Sequence, residues 1–287
     1  MRLVTGALVA IVVATCALSL RARAQEADYE PFDRASFEVS RAATVDNPWF
    51  PLSPGAQLTL DGVTIEDGEA ISHRIVFTTT DLVKTVAGIP TTVVWVRDYA
   101  EGKLVEAELA FFAQDRTGTV WHFGEYPEEY EDGVVVNAPT WLAGIEDARP
   151  GIVMKSSPEP SEISYSQGWG PTVSWTDRAR VVDAGQLLCV AAGCYSNVVI
   201  TEEFTREEPN AFQVKAYAPG VGTVRVGWRG EDPNMETLEL TALVRLDAAG
   251  MTAAREAALA LERSAYEQRP DVYGLTEPAV PRAASAM

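Results

Sequence analysis

Two histidines, a crowd of carboxylates, a set of tryptophans and a cysteine pair are the groups in this 287-residue chain whose type and placement offer chemistry. A Ser-His-Asp mechanism would have to use His73 or His122, because no other imidazole exists. His122 lies in Thr119-Val120-Trp121-His122-Phe123, where strand alternation places Trp121 and Phe123 on one face and Val120 and His122 on the other. A half-exposed polar role is the expectation for it. His73 stands at the start of a strand beside Arg74, which is no better a context for a base. No G-x-S-x-G elbow, Walker loop, H-E-x-x-H helix or C-x-x-C pair occurs after residue 24, and Gly168-Trp169-Gly170 is only a short G-x-G. No catalytic residue is assigned on these grounds.

The densest acidic stretch runs from Glu125 to Gly133 and reads as a loop, with Asp115 on the preceding turn. Crowded carboxylates repel, and a hard cation such as Ca²⁺ relieves this by collecting oxygen ligands, which makes Asp115, Glu125, Glu128, Glu129, Glu131 and Asp132 the calcium candidates. The spacing fits no EF-hand. A solvated acidic face without cofactor is therefore the default expectation. Asp115 with Glu125, or Asp177 with Glu202, would supply acid and base to a glycan-cleaving enzyme or a cyclase if a pocket brought either pair together. Among the aromatics, Trp121, Trp141, Trp169 and Tyr217 join His122 as expected contacts of an apolar or carbohydrate-like ligand, since curved sheets often hold one on their concave face.

These groups belong to an exported chain. Met1-Arg2, the apolar run Leu3 to Leu20 and Ala22-Arg23-Ala24 form a signal-peptide pattern with cleavage expected after Ala24. Cys16 sits in Val13-Ala14-Thr15-Cys16, with Thr where a lipoprotein signal wants Gly or Ala. Removing residues 1–24 takes three arginines and no acid, so 20 basic residues face 41 acidic ones, a net charge of −21. The Coulomb term then excludes nucleic acid and anionic membrane surfaces as partners. Cys189 and Cys194, separated by Val-Ala-Ala-Gly, are expected to form a disulfide across a turn at Ala192-Gly193.

The elements that position these residues are strands. Val86-Ala87-Gly88 with Val93-Val94 falls on Ala191-Ala192-Gly193 with Val198-Val199 at a shift of 105, and Phe112-Ala113 falls on Tyr217-Ala218 at the same shift. Leu58 and Leu60 then fall on Ile163 and Tyr165, and Gly118-Thr119-Val120 falls on Gly222-Thr223-Val224 after one deletion. Two hairpin-rich halves, about 48–150 and 151–246 of a β domain spanning 45–246, are the expectation. Strand-like runs include Ile71 to Thr80, Thr91 to Tyr99, Val105 to Phe112, Thr119 to Phe123, Val173 to Val182, Asn197 to Phe204 and Thr237 to Arg245. Asp61-Gly62, Asp67-Gly68, Glu101-Gly102 and Asp132-Gly133 read as turns. The fold class is all-β and mainly antiparallel, a curved sheet or open barrel. Segment 247–270 holds one α-helix, from about Met251 to Gln268, expected across the open side of the sheet. Residues 25–44 read as a polar lead-in and 271–287 as a disordered tail.

Four segments resemble a family of exported bacterial proteins. They are Val45 to Gly55 with its Phe50-Pro51-Leu52-Ser53-Pro54-Gly55, Phe112 to Glu125, Pro150 to Met154, and Tyr217-Ala218-Pro219-Gly220-Val221-Gly222 followed by Val224. The likeness spans about residues 45 to 245, implies export and brings no catalytic assignment. This chain has His122 where that pattern has Tyr, and Cys189 and Cys194 bracket a turn that is Val-Pro-x-Gly in the pattern.

The leading functional expectation is a secreted or periplasmic β-sheet protein binding a small molecule or glycan in a concave, aromatic-lined face. The alternatives are a carboxylate- or tyrosine-dependent enzyme and a structural module of the cell envelope. A pocket, and what lines it, separates the three.

Overall fold

The computed structural model describes residues 27–66, 68–208 and 210–282. The proposed signal peptide lies outside the described residues. Eleven long or medium strands follow from the alternating patterns, joined by shorter ones. The first run is β1 (Ala56–Glu66), β2 (Glu69–Val86), β3 (Ile89–Ala100), β4 (Lys103–Gln114), β5 (Val120–Glu131), β6 (Val134–Asn137), β7 (Trp141–Leu142) and β8 (Arg149–Met154). Two-residue strands β9 (Tyr165–Ser166) and β10 (Gly168–Trp169) come next. The second run is β11 (Arg178–Val190), β12 (Gly193–Phe204), β13 (Ala211–Ala218), β14 (Gly222–Gly230) and β15 (Thr237–Arg245), after which come α1 (Ala248–Gln268) and β16 (Val280–Pro281).

The strands form one open antiparallel sheet in the order β10-β8-β5-β4-β3-β2-β1-β15-β14-β13-β12-β11-β9. Each run is a meander, and the two meet where β1 pairs with β15. Ala87-Gly88, Glu101-Gly102 and Asp132-Gly133 all have positive φ at both residues, the conformation that two-residue hairpins need to match strand twist. The matching segments 105 residues apart, Val86 to Gly88 and Ala191 to Gly193, both join hairpin strands, β2 to β3 and β11 to β12. Leu58 lies within β1, whereas its counterpart Ile163 is exposed in a loop. Cys189 and Cys194 are disulfide-bonded across directly paired positions, their Cα atoms 4.0 Å apart.

Asp61-Gly62 is not a turn. Both residues lie mid-strand in β1, and a Cβ on Gly62 would come within 1.8 Å of the Thr237 carbonyl oxygen of β15. That glycine serves close backbone approach, which local sequence cannot distinguish from a turn. The run Val173 to Val182 is also corrected: Pro171–Val173 is a single 3₁₀ turn, Ser174 is left-handed, and the strand begins only at Arg178.

A second edge feature closes the architecture. β9 pairs with β11 at one end of the sheet and β10 pairs with β8 at the other, with Gln167 alone between them. One short segment thus links both edges of the sheet, which curves into an open barrel.

The helix lies outside this barrel, not across its open side. Ala258, Leu261 and Ala265 pack with Leu82, Val86, Leu109, Phe111 and Phe123 on the outer face of the first meander. α1 starts at Ala248, three residues earlier than its apolar stripe shows, because the Asp247 carboxylate caps it by accepting the Gly250 N–H at 2.8 Å. The buried Lys84 of β2 meets Glu262 of α1 at 2.8 Å and donates to the Glu277 carbonyl at 2.9 Å, while the Ala279 N–H donates to Glu262. The expected tail is therefore ordered over residues 271–282: Val272 and Tyr273 are buried and β16 pairs with β2. The expected lead-in packs too, with Phe37 and Ala42 in the same outer core. Among the described residues no helix is long and apolar enough to cross a membrane.

Candidate functional site

Inside the barrel lies a cavity of about 260 Å³. Alternation on four neighbouring strands builds its apolar wall: Leu58 of β1, Ile75 and Phe77 of β2, Val94 and Val96 of β3, and Ala110 and Phe112 of β4. Phe50, Pro51 and Leu52 cover one end, with Val221 and Val226 beside them from the second meander. Much of the remaining lining is polar. Glu108 of β4, His122 and Glu125 of β5, Gln167 of the bridging segment, Asp177, Glu203 of β12, Gln213, Lys215 and Tyr217 of β13 and Glu236 all line it.

His122 and Glu125 share a face although three residues separate them. Gly124, at φ +134°, breaks the alternation of β5, and the β4–β5 register slips between Ala110 and Phe112 at the same level. A Cβ on Gly124 would lie 2.3 Å from the Trp141 carbonyl oxygen, so β7 seals the back of this bend. His122 stacks on Phe112 with ring centres 4.8 Å apart and meets Trp141 and Trp175 edge-on at 5.1 and 5.4 Å. It is 6% exposed rather than half-exposed, because β7 and the Trp175 loop cover the strand.

Burial holds the His122 imidazole down to about 3, against a backbone hydrogen bond at Gly124 that favours its charged form. The ring is neutral and its Nε2 has no hydrogen-bond partner. Burial raises the three carboxyls around it: Glu108 to about 8, with Glu106 adding to the effect, Asp177 to about 6, with Glu203 adding, and Glu125 well above its ordinary range, with Glu108 and Asp177 adding. Lys215 stays charged despite burial because Glu203 lies 2.7 Å away, and the Tyr217 hydroxyl donates to the same Glu203 at 3.1 Å. Glu236 is held by His73 at 2.9 Å and accepts from the Gln213 amide at 2.7 Å. Burial opposes charge on His73, yet Asp98 and Glu236 on either side of its ring raise it to about 10. It is a fixed cation and no base.

Of the five expected ligand contacts, His122 and Tyr217 line the cavity. Trp141 is buried behind His122 and Trp175, as part of the cavity's support. Trp121 points to the outer core, against Phe32 and Phe37, and its indole donates to Asp115 at 3.0 Å. Trp169 lies on β10 beside Tyr29, away from the lining.

The acidic stretch is strand rather than loop, and this scatters the calcium candidates. Glu125 faces the cavity, while Glu128 faces the outer core, 3% exposed, accepting from the Tyr126 and Tyr130 hydroxyls at 2.5 Å each. Glu129 accepts from Asn137, Glu131 ends β5, Asp132 is in the following turn, and Asp115 caps its own turn by accepting from the Thr117 and Thr119 N–H groups. Among the described residues no three His, Cys, Asp or Glu side chains are grouped to hold a metal. Neither proposed acid–base pair converges. Asp115 is in its turn. Glu202 points outside, where the effect of burial on its carboxyl is outweighed by Arg229 at 2.6 Å and Arg180 at 2.8 Å, which lower its pKa. Glu125 instead lines the cavity together with Asp177 and Glu108, whose charges act on it.

Sequence alone does not single out Glu108, Glu203 and Lys215 as site residues. For two of them part of the signal exists: Glu108 shares its face with Ala110 and Phe112 as well as Glu106, and Lys215 shares its face with Tyr217 as well as Gln213.

No family model and no curated protein matches the chain. Two solved structures resemble it. One is a protein from Bacteroides fragilis described as exported, with a YmcC-like fold, at 14% identity and a TM-score of 0.43, covering 69% of this chain and 100% of that one. The other, described as a lipoprotein, is from Parabacteroides distasonis, at 12% identity and a TM-score of 0.41, covering 69% of this chain and 99% of that one.

Proposed function

We propose that this is an exported β-sheet protein that binds a small, mainly apolar ligand inside its barrel. One observation supports the reading above all: both meanders turn apolar side chains toward a space they leave unfilled, beside a set of polar groups. Such a mixture is what a ligand site shows. A core evolved only for stability would fill it, since voids forfeit packing energy. That counts against the purely structural alternative. The lining also favours an apolar ligand over a carbohydrate-like one, because Trp121 and Trp169, two of the three tryptophans expected to contact a ligand of either kind, lie elsewhere and aliphatic side chains dominate the wall. Export is supported by the Met1 to Ala24 pattern and by the disulfide.

Native mass spectrometry of the protein incubated with lipid and with glycan extracts tests the proposal. The expected result is a one-to-one adduct from the lipid extract that disappears in Val94→Trp, which fills the cavity; an empty protein in both extracts would overturn it. A second reading, carboxyl-dependent catalysis, is favoured by the raised Glu108, Glu125 and Asp177, since displaced pKa values cluster at reactive sites. Conversion of the bound molecule over time, lost in Glu125→Gln, would support it.

A further inference from the structure

The class of ligand can be narrowed, taking the apolar-ligand reading as its basis. The polar end of the cavity is unbalanced. Its one lining cation, Lys215, is engaged by Glu203, and Glu236 is engaged by His73 and Gln213. Glu108 and Asp177 have no side-chain hydrogen bond and no ion pair among the described residues, and Glu125 has the His122 ring 3.7 Å away and the Trp141 indole beside it. The Tyr217 hydroxyl is turned to Glu203. His122 is more than nine-tenths buried and lines the cavity with an unpartnered Nε2. Since the ring's other nitrogen is held at the Gly124 backbone, Nε2 offers a lone pair. The unengaged groups are thus three carboxyls, which become full acceptors when a cation displaces their protons, and an imidazole nitrogen, with the Gln167 amide able to add its oxygen. Phe112 and Trp175 line the same end, and aromatic faces attract cations.

We propose that the cavity takes a small apolar amine, its hydrocarbon part against Ile75, Phe77, Val94 and Val226 and its ammonium group among Glu108, Glu125, Asp177 and the Nε2 of His122. An ammonium group brings N–H donors to these acceptors and supplies the positive charge they lack. At about 30 Å³ per water-sized group the space holds on the order of nine such groups, the size of an eight-carbon amine.

Binding is coupled to protons. The titratable groups facing the ammonium position are Glu108 with Glu106 and Asp98 behind it, His122 and Glu125 on β5, Asp177 on the segment before β11, Glu203, Lys215 and Tyr217 on β12 and β13, and Glu236, which is paired with His73. Lys215 and Glu203 cancel, Tyr217 and His122 stay neutral, and an arriving cation draws protons off the raised carboxyls. Amine affinity therefore rises with pH from 5 to 8.

Octylamine, 1-octanol and octanoate share a chain and differ in head group. Isothermal titration of the protein at pH 7.5 is expected to show one-to-one octylamine binding at least tenfold tighter than octanol, no measurable octanoate binding, and a buffer-dependent heat that reports proton release. Octylamine affinity should fall at least tenfold at pH 5. Glu108→Gln/Glu125→Gln should lose tenfold or more for octylamine and several-fold less than that for octanol, its fold checked by circular dichroism; if that variant does not fold, Glu125→Gln alone and the pH series give the same readout. Octanol or octanoate binding as tightly as octylamine would overturn the ammonium class and leave the apolar-ligand reading standing, whereas no binding by any of the three would overturn both.

Discussion

The Nε2 of His122 and the Oε2 of Glu125 stand 3.7 Å apart on one face of β5, held there by the bend at Gly124 between them. Their environments push them in opposite directions. Burial disfavours the charged form of each, lowering the imidazole's pKa to about 3 and raising the carboxyl's well above its ordinary range.

Acid should reveal this pair first. The folded pKa of His122, about 3, lies below its unfolded value of 6.5, so the unfolded chain binds the extra proton below pH 6.5 and stability falls from there toward pH 3. His122→Phe removes this contribution. Urea unfolding across pH 7 to 4 should show the wild type losing about 3 kcal/mol more than the variant by pH 4. Parallel curves for the two proteins would show that the ring is not buried in its neutral form.

The bend itself is testable. Gly124→Ala combines a left-handed φ with a Cβ 2.3 Å from the Trp141 carbonyl oxygen, and should cost about 3 kcal/mol or more by denaturant unfolding. Gly227→Ala, on β14 with nothing within 4 Å of the new methyl, should stay within about 0.5 kcal/mol of wild type.

On the outer face, Lys84→Met leaves the buried Glu262 without its cation, and breaking a buried pair in this way costs about 3–5 kcal/mol. Lys84→Met/Glu262→Gln should recover much of the loss, because the amide oxygen of the introduced glutamine still accepts the Ala279 N–H. Thermal melts of the two variants decide the matter; equal destabilisation would show that Lys84 acts through Tyr266, Tyr273 and Glu277 instead.

The strands and their hairpins were legible because both signals are local. X-Gly doublets such as Glu101-Gly102 carry the positive φ that a tight turn requires, and alternation in Thr237 to Arg245 marks β15 from end to end. Gly62 and Gly124 read wrongly or not at all, since what they accommodate, Thr237 and Trp141, is far away in sequence or beyond a turn. The same limit hid the site. His122 and Tyr217 could be picked out as polar-tipped rings in strands, but the partnership of Glu125 with Asp177 and Glu108 depends on which strands become neighbours across the barrel. Trp121 was misplaced for the opposite reason: alternation correctly set it across from His122, and only the position of the cavity on one side shows that this face is the wrong one. The C-terminal segment looked unstructured by composition, and its order comes from Lys84 and Glu262, which no window of local sequence contains.

The clasp formed by Tyr165 to Trp169 sets how the interior communicates with solvent. Only two residue pairs secure it on each side, against eight between β1 and β15. A molecule too wide for the rims would have to part this seam, whose midpoint, Gln167, faces the chamber and is tied by its N–H to the Asp177 carbonyl at 2.8 Å.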